Sequence, residues 1–244
     1  MPILMKRRPF LTAVAGAFAM AFAVADFLIA SEKDKVPALL DHILLGCGNL
    51  ESGIEFVEKQ TGVKAAFGGV HPGRGTQNAL LSLGEGHYLE IMAPDPGQAG
   101  ATDPRAVQLR KLETPKLVGW AAHPGDIEVL AQKLKEHGVG IEGPRAGSRK
   151  SPDGRVLNWK TLGLAEDFGG LLPFFIEWGA GTVHPSVDAP AGCRILSFEI
   201  ATPEPEKLKE VEELLALGGI VGKGNKAELR VRIAGPKGEI LLTS

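Results

Sequence analysis

The chain has 244 residues, of which 44% are hydrophobic and 23% charged, values typical of a folded globular protein and not of a disordered one. Its 27 basic and 29 acidic residues leave a formal net charge of -2, so no basic surface indicates nucleic-acid binding. Aromatic residues make up 6% and include a single Tyr, which also argues against a platform for stacked bases.

The N-terminal region has the pattern of an export signal. Arg7-Arg8 precedes an apolar, Ala-rich run that ends in Ala23-Val24-Ala25. Basic, apolar and small residues in this order indicate a cleaved secretory signal, and the arginine pair resembles a twin-arginine signal. An uncleaved membrane anchor is the weaker alternative because Asp26 limits the apolar run, whereas a span needs roughly 20 residues. We expect cleavage after Ala25, exclude residues 1–35 from the fold, and predict a periplasmic or secreted protein that meets the membrane only during export.

Residues 36–95 predict a strand, a helix and then three more strands. The stretch Leu40 to Leu45 is strand-like, Asn49 can cap the helix that follows, and Gly62 can end it. A glycine-flanked turn between the last two strands predicts a hairpin. The three strand candidates span residues 64–70, 76–83 and 87–92.

The same order of elements recurs in residues 116–185, after a Pro- and Gly-rich connector at residues 96–115. Gly48-Asn49-Leu50-Glu51 and Gly125-Asp126-Ile127-Glu128 mark the same point in the two units, and their offset is 125 minus 48, or 77 residues. A fixed offset of this kind indicates internal duplication. Residues 186–244 have the pattern of a reduced third copy, for which packing or dimerisation is the expected role. The sequence therefore predicts an α+β fold of paired βαβββ modules with a partial third module at the C-terminus.

Three ionisable residues lie inside apolar strand candidates: His42, Glu90 and Glu177. A buried carboxylate without a partner is costly, and a bound cation removes that cost. The two glutamates occupy the last strands of the two units, whereas adding the offset to His42 gives 42 plus 77, or position 119, which is Gly119. Three protein ligands with one open position suit a catalytic ion, so we predict a divalent metal at these residues. The alternative is that each glutamate simply alternates onto a wet strand face.

A glycine-rich segment, Gly68 to Asn78, carries a second set of polar residues. It lacks the Gly-Lys-Ser/Thr ending of a phosphate loop and opens a strand instead of a helix. Thr76 and Asn78 share a strand face that by parity lies beside the predicted metal, so we place them, with His71 and Arg74, at the substrate. Arg74 can hold an anionic group, and His71 can act as general base or as an extra ligand. An incidental surface hairpin is the alternative.

The repeated plan and these positions resemble the vicinal oxygen chelate superfamily, which includes glyoxalase I, methylmalonyl epimerase, extradiol dioxygenases and drug-resistance proteins. The stretch Gly68 to Asn78, followed by Tyr88-Leu89-Glu90, is similar to the glyoxalase-like domain family, as is Gly119-Trp120-Ala121. The resemblance covers about residues 40–243. It implies that the two modules close a cup-shaped, half-open barrel with metal ligands on its inner strand faces. The resemblance therefore implies that His42, Glu90 and Glu177 are metal ligands. Gly119 departs from a four-ligand pattern.

We expect a metal-dependent glyoxalase-like lyase or isomerase that acts on a small hydroxy-carbonyl substrate. The ion would polarise a substrate oxygen, and Glu90 or His71 would move a proton on the neighbouring carbon. An iron dioxygenase is less favoured, because its two-His, one-carboxylate triad differs from the predicted one His and two Glu. The alternative from another class is a non-catalytic binding or sequestering protein of the same fold. The expected partner is a small molecule and not nucleic acid, and the sequence leaves homodimerisation open.

The sequence contains two cysteines, Cys47 and Cys193, far apart in the chain. Their spacing excludes a zinc knuckle or a thioredoxin-like motif. Two buried free thiols are the preferred interpretation, and a single disulfide in an exported protein is the alternative.

Overall fold

The structure is a computed structural model that describes residues 36–84, 86–218 and 220–244. The predicted export signal, its arginine pair and the expected cleavage site after Ala25 lie outside these ranges. Within them, no helix is both long and apolar enough to cross a membrane.

The first module has the predicted order of a strand, a helix and three strands. Its elements are β1 (Leu40–Gly46), α1 (Leu50–Thr61), β2 (Ala66–His71), β3 (Thr76–Gly84) and β4 (His87–Pro94). Strands β2, β3 and β4 form an antiparallel meander, and β4 returns to lie parallel to β1. The Asn49 side chain accepts a hydrogen bond from the backbone N–H of Ser52, and Gly62 ends the helix with a φ of 82°. Both predicted helix limits are therefore confirmed.

The connector between the modules contains a short helix that the sequence analysis did not predict. After a 3-10 turn at Pro96–Gln98, α2 spans Pro104–Leu109. The Asp103 side chain caps this helix by accepting from the backbone N–H of Arg105 at 2.9 Å. A helix of fewer than two turns has too few apolar residues to show a helical period, which is why the pattern of the sequence suggested only a linker.

The second module repeats the first. Its elements are β5 (Lys116–Ala122), α3 (Ile127–Glu136), β6 (Ile141–Lys150), β7 (Val156–Leu164) and β8 (Phe174–Trp178). Asp126 caps α3 by accepting from two backbone N–H groups, as predicted. Because β5 pairs antiparallel with β1, the two modules form one eight-stranded sheet with the order β2-β3-β4-β1-β5-β8-β7-β6.

This large sheet curls until its two edge strands approach each other. The Arg149 side chain on β6 donates a hydrogen bond to the backbone carbonyl of Gly68 on β2. A Cβ atom at Gly69 would lie only 2.9 Å from the carbonyl oxygen of Lys150, and Gly69 has a φ of 142°. Glycine is therefore the residue that permits this close approach of the edges. The predicted cup-shaped, half-open barrel is confirmed.

The outer face of the cup carries the main hydrophobic core. Helices α1 and α3 and a second, four-stranded sheet cover this face. The rings of Trp120 and Phe198 are fully buried there, with centroids 4.8 Å apart in an edge-to-face contact. Such a contact typically contributes about 0.5–1.5 kcal/mol beyond the burial of its area.

The C-terminal segment supplies the second sheet. It contains α4 (Pro185–Asp188), β9 (Arg194–Thr202), α5 (Pro205–Leu214), β10 (Val221–Lys223), β11 (Glu228–Gly235) and β12 (Gly238–Thr243). From β9 onward the element order is that of a module. The pairing differs, because β10 lies parallel to β9 at one edge and β11 lies antiparallel at the other.

Different segments cover the inner face of the cup near the two ends of β1. At the C-terminal end of β1, Leu109 of α2 packs with Leu44, Met92 and Val118 in a small apolar cluster. Near its N-terminal end, the segment around α4 closes the cup, because the Ser82 hydroxyl on β3 donates to the backbone carbonyl of Ser186. The polar residues of the inner face lie between these two covers.

Candidate active site

His42 and Glu90 lie side by side on the inner face of the cup. They occupy the neighbouring parallel strands β1 and β4, in which Leu44 pairs with Glu90. The Nε2 atom of His42 is 3.5 Å from Oε2 of Glu90, and both side chains are buried. The structure therefore brings these two predicted site residues together.

Asp41 orients the His42 ring from the side opposite to Glu90. Its Oδ1 atom lies 2.6 Å from Nδ1 of His42, and its Oδ2 atom accepts from Nε1 of Trp178 at 3.0 Å. Nε2 of His184 is also 3.3 Å from Oδ2. Burial acts to raise the pKa of Asp41, but the hydrogen bonds from His184 and His42 hold that pKa well below its usual range. The ionised carboxylate orients the ring with Nδ1 as donor and turns Nε2 toward Glu90.

His71 approaches Glu90 from the β2–β3 hairpin. Its Nε2 atom is 3.8 Å from Oε1 of Glu90, and its Nδ1 atom is 2.8 Å from the Thr76 hydroxyl. The Asn78 amide donates to Oε1 of Glu90 at 2.7 Å. Burial lowers the pKa of His71, although the charge of Glu90 opposes this effect. Burial therefore favours the neutral imidazole of His71, whose Nε2 atom also lies 3.4 Å from the Asn78 amide nitrogen.

The donor set of this cluster fits a divalent ion chemically. Ligands about 2.0–2.2 Å from one ion lie roughly 3–3.5 Å from one another. The separation of His42 Nε2 from Glu90 Oε2 is 3.5 Å and that of His71 Nε2 from Glu90 Oε1 is 3.8 Å. The Asn78 amide nitrogen lies 3.4 Å from Nε2 of His71 and 2.7 Å from Oε1 of Glu90, so it can donate to both acceptors. A proton or a cation would serve the same purpose between Nε2 of His42 and Oε2 of Glu90. In the described ranges, no three His, Cys, Asp or Glu side chains are already spaced to hold a metal ion, so binding requires a small contraction of the cluster.

The structure does not bring Glu177 to this cluster, and the expected convergence of three ligands needs a correction. On β8, the residues directly before and after Glu177 point to the inner face of the cup. Glu177 itself lies on the outer face, as does Phe175, which is part of the main core. Its Oε2 atom accepts a hydrogen bond from the backbone N–H of Ile127, the first residue of α3, at 2.7 Å. The carboxylate therefore stabilises a helix N-terminus. His71, assigned from the sequence as a base or an extra ligand, takes the third place beside the other two.

Gly119 presents no ligand to the cup, as expected, but an arginine lies near it. A Cβ atom built at Gly119 would be 4.0 Å from Nη2 of Arg105. Arg105, on α2, donates from Nη1 to the Val118 carbonyl at 2.9 Å. Burial lowers its pKa, and the charge of Glu90 opposes that shift. The guanidinium is thus a cation close to the cluster at the end of the cup that α2 covers.

Arg74 lies outside the cup, in contrast to the predicted role at the substrate. Its side chain is 67% exposed, and its Nε atom forms an ion pair with Oδ2 of Asp103 at 3.0 Å. The turn between β2 and β3 carries it away from the site, with Gly73 and Gly75 both at positive φ. Of the predicted substrate-binding residues, the structure places His71, Thr76 and Asn78 at the cluster.

Sequence reasoning missed five polar residues around the cluster. They are Asp41, Arg105, Arg149, Trp178 and His184. A signal existed for Asp41, because a second ionisable residue directly before His42 in an apolar strand is unusual. The others come from distant segments that only the closed cup brings together.

The comparisons with known proteins identify the family of the chain. The family model described as a glyoxalase-like domain matches residues 40–215. The chain belongs to the glyoxalase-like domain family. The resemblance inferred from the sequence is thus confirmed, and the family's fold relates the chain to the metal-dependent vicinal oxygen chelate enzymes.

Solved structures share the glyoxalase-like fold at low sequence identity. A Staphylococcus aureus protein described as hypothetical is 18% identical with a TM-score of 0.54, and the match covers 84% of each chain. Methylmalonyl-CoA epimerase from Mycobacterium tuberculosis is 20% identical with a TM-score of 0.41, over 59% of this chain and 89% of the epimerase. The comparison with curated proteins found no match.

Proposed function

We propose that this protein is a metal-dependent enzyme that acts on a small hydroxy-carbonyl substrate by Lewis-acid-assisted proton transfer. The observation that carries the proposal is the convergence of His42 Nε2, His71 Nε2 and the Glu90 carboxylate on the buried inner face of the cup. The proposed ligand set differs from the sequence prediction in one residue, since His71 replaces Glu177. Two imidazoles and one carboxylate leave open positions for substrate oxygens.

When bound at these residues, a divalent ion would polarise a carbonyl oxygen of the substrate and lower the cost of removing a proton from the adjacent carbon. Glu90 is the proposed proton carrier, because its carboxylate has two oxygens and Asn78 fixes its direction through the 2.7 Å hydrogen bond. Asp41 positions His42, and Thr76 positions His71. Burial of the cluster excludes bulk water, which strengthens the electrostatic contacts on which the reaction depends.

Arg105 has a supporting role in this proposal. It lies on α2 next to Gly119, and no carboxylate lies within ion-pair distance of it in the described part of the chain. A nearby guanidinium can stabilise negative charge that develops on a substrate oxygen. We therefore place the reacting oxygen of the substrate between Glu90 and Arg105.

A second function is favoured by the same donor set. Two histidines and one carboxylate are also typical of non-haem iron oxygenases. The predicted set of one His and two Glu disfavoured iron, and this objection does not apply to a set in which His71 replaces Glu177. A dioxygenase acting on a dihydroxy aromatic compound is thus the alternative enzyme.

Reconstitution of metal-free protein distinguishes these functions. Protein loaded with Zn²⁺, Mn²⁺ or Ni²⁺ and incubated in D₂O with a panel of hydroxy-carbonyl compounds should exchange a carbon-bound proton, which NMR detects. Protein loaded with Fe²⁺ and supplied with catechols should consume O₂ only if the alternative is right. Glu90→Gln should abolish either activity, and Glu177→Gln should preserve it. Binding of metal and ligand without any turnover would instead indicate a sequestering protein.

A further inference from the structure

A cavity opens between the two edges of the cup. It has a volume of about 360 Å³ and lies between β2, the β6–β7 hairpin and the segment around α4. This volume is within the range of about 300–1,000 Å³ that is usual for small-molecule sites. Much of its wall is apolar and includes Phe67, Leu80, Val156, Leu157 and Val183. Three of these five side chains, at positions 67, 156 and 183, are also exposed to solvent, as expected for the mouth of an apolar pocket.

Arg149 is the buried charge on the wall of this cavity. It is only 6% exposed, and within the described part of the chain its side chain donates to the neutral carbonyl of Gly68. No carboxylate lies within 4.0 Å of its guanidinium in the described ranges of the chain. A buried cation without a counter-ion is costly, and an anionic ligand removes that cost.

The other arginine of the cavity is already neutralised. Arg155 is half-exposed at the mouth and pairs at 2.6 Å with both Asp153 and Asp188. The cavity therefore combines an apolar wall, a rim on which one guanidinium pairs with two carboxylates, and one buried cation without an ion-pair partner in the described ranges. A ligand that matches all three has an apolar body and a single anionic group.

The cavity adjoins the His42–Glu90 cluster. Gly68 lines it, and a Cβ atom at Gly68 would lie 2.5 Å from Oδ1 of Asn78. That oxygen is buried and has no hydrogen-bond partner among the residues that the structure describes. The charge of Arg149 also acts on His71 and Tyr88, two residues of the site. An anionic group at Arg149 would thus lie next to the residues that carry the chemistry.

We propose that this cavity binds a carboxylate with an apolar chain, whose carboxylate pairs with Arg149 and whose chain lies against the apolar wall toward the mouth. This proposal extends the proposed function by identifying the substrate as an amphipathic carboxylate. The later reaction of that ligand rests on the proposed function. Binding itself requires only the cavity and Arg149. The planar fork of arginine matches a carboxylate through two parallel hydrogen bonds.

Calorimetric titration of metal-free protein, kept in chelator, with acetate, hexanoate, octanoate and octanol tests the proposal. Octanoate should bind, and affinity should rise about threefold to fourfold with each added methylene until the cavity is full. Arg149→Gln should weaken octanoate binding at least tenfold and change octanol binding less than threefold. Arg145→Gln, the same change on the same strand at an exposed residue paired with Glu142, should leave octanoate binding unchanged.

Arg149 also joins the edges of the cup, so a second variant avoids its structural role. Val156 is 49% exposed at the mouth and Val129 is 66% exposed on α3, away from the cavity. Val156→Glu should weaken octanoate at least fivefold by charge repulsion, and Val129→Glu should have no effect. Equal octanoate affinity in wild type, Arg149→Gln and Val156→Glu, or no binding to the wild type, would overturn the inference. Because the assay contains no metal, failure of the metal assignment does not alter its outcome.

Discussion

Asp41 Oδ1 lies 2.6 Å from His42 Nδ1, although the two residues are neighbours on one strand. Neighbouring side chains on a regular strand point to opposite faces. The pairing of β1 with β5 shifts register between Leu40 and His42, and an irregularity of this kind can redirect a side chain. The strand therefore supplies both the proposed metal ligand and the carboxylate that orients it.

Asp41→Asn should lower the affinity for the metal by about 10–100-fold, because outer carboxylates hold the ligand ring in the binding tautomer and orientation. Competition with a fluorescent zinc chelator measures the dissociation constant. Asp153→Asn is the matched control, since Asp153 is an exposed aspartate of the β6–β7 hairpin. Equal zinc affinity in both variants and the wild type would show that Asp41 does not position His42.

The sequence predicted the modules because their signals are local. Asn49, Gly62 and Asp126 each act within one turn of their own helix, and the alternation that marks a strand extends over only a few residues. Because of the duplication, the elements of the first module also predicted those of the second. The closure of the two modules into a cup followed from the family resemblance and not from these signals.

The face of a strand is a harder problem, and it explains the error at Glu177. Alternation shows that Glu177 shares a face with Phe175, but both faces of β8 are largely covered and either could be the inner one. Because both faces are covered, the residues around Glu177 are aromatic and apolar, as are those around Glu90. Arg149 could not be recognised either, because its place at the site depends on the contact between β6 and β2. Gly68 and Arg149, which form this contact, are 81 positions apart in the chain.

Glu177→Ala should destabilise the protein while leaving metal binding intact. The substitution removes the acceptor for the Ile127 N–H and the negative charge at the N-terminus of α3, which should cost about 1–2 kcal/mol in the free energy of unfolding. Urea denaturation measures this change. Glu142→Ala is the control, because its exposed ion pair with Arg145 should contribute less than about 0.5 kcal/mol. A Glu177→Ala protein as stable as the wild type would show that this cap has no energetic role.

Cys47 and Cys193 should react slowly with thiol reagents in the folded protein. Both are buried and free, and burial raises the pKa of both thiols, that of Cys47 from 9.0 to about 11. A folded-state pKa above the unfolded value contributes stability that is fully present below pH 9.0 and is lost as the pH rises toward 11. Reaction with Ellman's reagent in urea should titrate two thiols per chain. Fewer than two under non-reducing conditions would indicate a disulfide instead.

The protein exported by its native host should begin at Asp26. The prediction rests on Ala23-Val24-Ala25 behind the apolar run. Intact-mass spectrometry of protein from the export compartment decides it. Changing Arg7-Arg8 to two lysines should block export by a twin-arginine route, and an exported mass that starts at Met1 would contradict the cleavage.

Metal stoichiometry of two glutamate variants tests the central claim most directly. Glu90→Gln and Glu177→Gln are the same chemical change at the two carboxylates that the sequence could not distinguish, and the structure places only Glu90 beside His42. Mass spectrometric metal analysis of proteins purified without chelator should find one divalent ion per chain in the wild type and in Glu177→Gln. Glu90→Gln should retain about a tenth of that amount or less, because loss of one ligand weakens a three-ligand site severely. Full metal content in Glu90→Gln, or its loss in Glu177→Gln, would contradict the assignment of the site.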